Sequence, residues 1–106
     1  MDWKKLMKLT IIEAPLKDGD AYLKLCIEDC FNRDEAPFSA DGFYRHHLDQ
    51  KVMTQRAKTI SAGLEWARYA DVIAFYIDHG ITETMQAHIK IYEAAHKKIE
   101  YRKLLS

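Results

Sequence analysis

Three residues of this 106-residue chain stand where chemistry is possible. His88 lies two positions before Lys90, in a segment whose polar residues Glu83, Gln86, Lys90, Glu93 and Lys97 recur at the spacing of one helix face. Two residues along a helix rotate the side chain by about 200°, so with Lys90 in solvent His88 points inward. An imidazole there is either a packing group or a ligand contact and general acid–base, because it titrates near neutral pH. Asp78 directly follows the apolar run Val72–Ile77. It reads as a turn former or as the partner of a ligand hydroxyl. Glu13 closes another apolar run, and a carboxylate buried there needs either a salt bridge or a ligand as partner.

Other polar groupings point to less. His46, His47 and Asp49 are close in sequence, but adjacent side chains rarely chelate one ion, so no metal is expected. Ser39 and Ser61 lack the elbow motif of a serine hydrolase. No glycine-rich dinucleotide fingerprint and no Walker-type loop occurs, and no cofactor is expected.

The elements that must hold these residues follow from patterning. Residues 6–14 are apolar and β-branched and end at Pro15, which predicts a first strand. Asp18 or Asp20 is available to cap a helix over residues 21–31, where Leu23, Cys26, Ile27 and Cys30 share one face. Residues 35–38 suit a brief edge strand, since Pro37 cannot donate to a ladder. Asp41-Gly42 reads as a turn in an aperiodic stretch. A helix then opens at Thr54, with Met53, Ala57, Ile60, Leu64 and Ala67 as its apolar stripe. Residues 72–77 are apolar without alternation, as in a central parallel strand covered on both faces. Thr82 caps a third helix reaching about His96, and residues 99–104 supply a last strand. The order βαβαβαβ predicts an α/β fold: a small open parallel sheet of roughly four strands flanked by helices, flavodoxin- or Rossmann-like. Ligands of such sheets bind beyond the carboxyl ends of the strands, where residues 13–16, 39–44 and 78–82 converge.

Length allows a single domain over residues 1–106. Lys plus Arg and Asp plus Glu are 16 each, which argues against nucleic-acid binding, since that needs a basic excess. No apolar run approaches the ~18 residues of a membrane span. Met1–Lys8 is too charged and too short for a signal peptide. Cys26 and Cys30, four apart on one helix face, read as reduced thiols. A cytoplasmic setting is expected.

The segments IIEAPL (11–16), EAPFSADGFY (35–44), ISAGLEWARYADVIAFYIDHGIT (60–82) and TMQAHIKIYEAA (84–95) resemble, in this order, the nucleoside 2-deoxyribosyltransferase-like superfamily. Within it the chain is most similar to a group encoded by phages and bacteria, for which the setting is the host cytoplasm. The resemblance covers roughly residues 8–104. It implies a parallel α/β domain that binds a nucleoside, with a Glu nucleophile on the helix after the central strand. That Glu corresponds to His88 here, the Gly four residues earlier to Thr84, and the preceding Asp loosely to Asp78. An imidazole cannot form the glycosyl ester that a carboxylate forms. The resemblance therefore implies a nucleoside- or nucleotide-derived ligand held by Glu13, Pro15, Ser39, Tyr44, Asp78, Thr82 and His88. Residual N-glycosidic chemistry would rest on His88 with Asp78 or Glu13. A homodimer is also expected, as is a third possibility, an interaction module using Trp3, Trp66, Tyr69, Tyr76 and Tyr92.

Overall fold

In a computed structural model, which describes residues 3–16 and 18–105, four strands form one parallel sheet. They are β1 (Lys8–Glu13), β2 (Glu35–Phe38), β3 (Val72–Tyr76) and β4 (Ile99–Arg102), in the order β2-β1-β3-β4. The helices are α1 (Ala21–Asn32), α2 (Ala40–Tyr44), α3 (Met53–Ala67) and α4 (Glu83–Ala94). The open α/β architecture is the one the alternating pattern predicts. β3 is buried along its whole length, as its unbroken apolar run requires. β2, with Pro37, lies at the sheet margin.

Side-chain alternation in the strands divides the core in two. Ile11, Ile73 and Phe75 pack against Ala67, Met85 and Tyr92 of α3 and α4. Ile12, Ala74 and Tyr76 pack on the other face against Tyr22, Leu23, Cys26 and Cys30 of α1. Both cysteines are free and buried. The chain winds from β1 to β2 on one side, then returns past β1 to β3. The switch in direction falls between β1 and β3, the place where a parallel sheet opens a crevice.

The α1 face also carries a buried ion pair. Arg102 and Glu35 meet in two parallel bonds of 2.8 Å. Arg102 also donates to Tyr76 Oη at 3.1 Å and to Glu100 from Nε and Nη2. Tyr76 donates onward to Asp29 at 2.8 Å. Burial pushes the Glu35 carboxyl up, but the Arg102 bonds and charge outweigh it and hold the group below the ordinary range.

Several local expectations are corrected. Residues 40–44 are a short helix and not a turn: Ser39 Oγ accepts the Gly42 amide at 3.0 Å and starts it. A Cβ at Gly42 would meet Leu23 Cδ2, so the Leu23 side chain would have to shift to admit one. Asp20 occupies the N-cap position of α1 without a side-chain cap bond; its carboxylate takes Arg45 and His46 instead. α3 starts one residue before Thr54, and Met53 and Ala57 are exposed. Its buried residues are Thr59 and Ala67. Among the five aromatics named for an interaction face, Tyr76 and Tyr92 are core, whereas Trp3, Trp66 and Tyr69 are exposed.

Candidate functional site

Glu13 is the last residue of β1 and faces the α3/α4 layer. His88, one turn into α4, is 9% exposed and lies where its helical phase predicts, against the sheet. Its Nδ1 lies 2.8 Å from Glu13 Oε1. Tyr92, four residues on and so on the same face, donates to Glu13 Oε2 at 3.2 Å. The Glu13 bond holds the His88 imidazole above its ordinary pKa, against the opposing effect of burial. The Asp41 charge reinforces this and the Arg56 charge opposes it.

A second chain of bonds closes the site from α2 and α3. Arg56 Nη1 donates to Asp41 Oδ1 at 2.5 Å and to Gln50 Oε1 at 3.2 Å. Gln50 Nε2 donates to the buried Thr59 hydroxyl at 2.9 Å. The segment between α2 and α3 is thereby tied down over the carboxyl end of β1. Among the described residues, Arg56 Nε and Nη2, Asp41 Oδ2 and His88 Nε2 make no hydrogen bond to protein.

Two spaces adjoin these groups. One is a cavity of about 20 Å³ whose polar walls are Glu13, Ser39, Asp41, Thr59, His88 and Tyr92. The other is a crevice of about 290 Å³ bordered by Glu13, Pro15, Asp41, Arg56, Thr82 and Thr84. They share Glu13, Ala14 and Asp41 as a common wall. Thr82 caps α4 by accepting the Met85 amide at 3.1 Å, as its position predicts.

The structure brings Glu13 and His88 into contact, Ser39 onto the small cavity, and Pro15 and Thr82 onto the crevice. Two residues lie elsewhere. Asp78 is on the α1 side, where it accepts Tyr22 Oη at 2.5 Å and the amides of Leu104 at 3.0 Å and Leu105 at 2.7 Å. Burial raises its pKa, and those bonds more than reverse the effect, so it is held low. It anchors the segment after β4, and the turn behind it closes through Gly80 at φ +85°. Tyr44 packs against Phe38 and Phe43, with its hydroxyl 3.4 Å from Trp66 Nε1.

The residues missed in the sequence are Asp41, Gln50, Arg56, Thr59 and Tyr92. Tyr92 was detectable as the i+4 neighbour of His88. Asp41 was hidden by the turn reading of Asp-Gly, Gln50 belongs to an aperiodic stretch whose path only the fold decides, and Arg56 lies on the predicted helix off its apolar stripe, where periodicity names no partner. Among the described residues no three His, Cys, Asp or Glu side chains are grouped to hold a metal ion. No helix described is long and apolar enough to cross a membrane.

Residues 8–102 match the family described as Domain of unknown function (DUF7768). No curated protein and no solved structure matches the chain.

Proposed function

The chain belongs to the DUF7768 family, and from its site we propose that it binds a nucleoside-derived small molecule in the crevice beside Glu13. The observation that carries this reading is the Glu13–His88 pair, set at the carboxyl end of β1 and sharing a wall with a crevice of about 290 Å³. That volume is near the lower bound of roughly 300 Å³ for small-molecule sites. Asp41 and Arg56 border the same crevice with free hydrogen-bonding capacity, which suits the hydroxyls of a sugar. Charge favours a nucleoside over a polyphosphate: two carboxylates, Glu13 and Asp41, face one guanidinium.

Binding is favoured over covalent glycosyl transfer. Both oxygens of Glu13 are already engaged, one by His88 and one by Tyr92, so neither is a free nucleophile. Asp78 is fully bonded on the other face. The similarity to the deoxyribosyltransferase-like superfamily supports the ligand class, and a cytoplasmic location belongs to the same proposal. So does a homodimer, which the exposed Trp66 and Tyr69 support; light scattering that gives a monomer mass at every concentration excludes it.

Thermal-shift measurements with nucleosides, nucleoside monophosphates and ADP-ribose test the ligand. At tenfold excess over Kd a bound ligand stabilises by about 1.4 kcal/mol, several degrees for a domain of this size. No shift at millimolar concentration of any of them removes the proposal.

A further inference from the structure

Residues 3–7, ahead of β1, belong to no helix or strand, yet their path is fixed. Asp71, between α3 and β3, accepts the Lys5 ammonium and the Leu9 amide, and its own amide donates to the Leu9 carbonyl at 2.8 Å. On either side of Lys5 the segment holds its largest apolar groups in water: Trp3 is 93% and Leu6 87% exposed. Burial of an indole is among the largest gains one side chain can make. Next to Asp71 lies an apolar groove of about 320 Å³ lined by Leu9, Ile11, Phe38, Trp66, Tyr69 and Ala70. Its Leu9, Trp66 and Tyr69 are exposed. The whole chain shows the same surplus. It exposes 7256 Å², about 1,100 Å² more than is usual for a folded monomer of 12.4 kDa. Its radius of gyration is 13.8 Å, against about 12.9 Å for a compact chain of this length. A stable interface of standard size takes about 800 Å² from each partner, so the surplus is enough for one.

We propose that Trp3 and Leu6 of one copy of this chain seat in the apolar groove of a second copy, which returns the same segment to the first. This rests on the homodimer reading and names the surface that makes it. The occupant is a second copy because the chain itself carries both halves of the contact: a tethered segment with two unburied apolar side chains, and an unfilled groove of matching chemistry beside its tether. Segment and groove adjoin at Asp71, so a two-fold axis beside it brings each segment to the other copy's groove. That is the self-complementary arrangement a closed dimer requires. Trp3 is the anchor, and Trp66 and Tyr69 receive it; tryptophan and tyrosine dominate the energetics of such contacts. The Lys5–Asp71 pair positions the segment before the second copy arrives, which lowers the ordering cost of association. A net charge of zero leaves no overall repulsion between copies at neutral pH.

Light scattering across a dilution series tests this on the wild-type chain, on Trp3→Ser/Leu6→Ser and on Tyr69→Glu. All three substituted residues are exposed, so the fold is kept. The expected result is a wild-type dimer whose dissociation constant rises on the order of 30-fold or more in each variant. Mixing the two variants restores pairing, because one supplies an intact groove and the other an intact segment. Trp3 and Trp66 are the only tryptophans, so in Trp66→Phe the fluorescence reports Trp3 alone and moves to longer wavelength as the dimer dissociates. A Trp3→Ser/Leu6→Ser variant that dimerises as the wild type does overturns the exchange and leaves the homodimer standing. Variants that fail to pair when mixed overturn the match of segment to groove. A mass above the dimer overturns two-fold closure. Wild-type chain that is monomeric at every concentration overturns the exchange and the homodimer together.

Discussion

The two faces of the sheet carry polar networks of opposite character. On the α1 face, Arg102 commits all of its donors: Nε to Glu100, Nη1 to Glu35 and Tyr76, and Nη2 to Glu35 and Glu100. Both Glu35 oxygens are taken, and the Tyr76 hydroxyl donates a hydrogen bond to Asp29. On the α3/α4 face the bonds stop part-way. Arg56 uses one nitrogen of three, and His88 uses one of two. A fully bonded buried network has nothing left for a ligand, whereas open valences beside a cavity are where a ligand or water gains its bonds. The difference separates a polar cluster that holds the fold from one that serves it.

The largest effect is expected from breaking the saturated side. Glu35→Ala removes the buried counter-charge of Arg102, leaving it the more exposed Glu100, and costs about 3 kcal/mol, while replacing both partners by apolar residues of similar volume costs far less. Urea unfolding of the single and double variants measures this. A loss below about 1 kcal/mol for the single variant would abolish the contrast. His88→Ala, on the open side, costs about 1–2 kcal/mol of ligand affinity, one hydrogen bond, read by calorimetry.

The two networks also separate by pH. Glu35 is held low in the folded chain, so its contribution is present above about 4.3 and lost as pH falls through the folded value. His88 is held high, so its contribution is complete below about 6.5 and lost as pH rises through the folded value. Unfolding followed across pH shows the acid loss reduced in the Glu35→Leu/Arg102→Met variant, with Asp78 still contributing, and the upper loss reduced in His88→Gln. If one variant reduces both, the networks are coupled and the division fails. The smallest effect belongs to Thr82→Ala, which removes the α4 cap at the crevice rim and costs about 1 kcal/mol. Thermal unfolding detects it, and neither pH limb moves.

The sequence was legible where one periodicity rules a segment. The unbroken apolar run of β3 and the five-residue polar face of α4 each dictate an element, and the latter alone turns His88 inward. Glu13 and His88 were readable separately, yet 75 residues divide them, and nothing local encodes their contact. Asp78 shows the converse: its position after a central strand suggests a ligand, but only the return of the chain after β4 supplies the amides that occupy it. Asp41 was lost because its Asp-Gly reads as a turn, and Arg56 because a helical period marks the buried face and not the partner of a charged side chain.

The margins of the sheet set how the chain behaves at high concentration. An exposed strand edge is a template on which further copies grow into fibres. β4 meets this with charge, since Lys98 and Glu100 line it and pair at 3.4 Å. β2 has no such screen, because its one charged residue, Glu35, is turned inward to Arg102. Pro37 takes that duty: it has no N–H, so a strand laid along β2 loses a rung in the middle of a four-residue edge. One proline thus keeps an aromatic-rich flank from becoming a nucleus for aggregation.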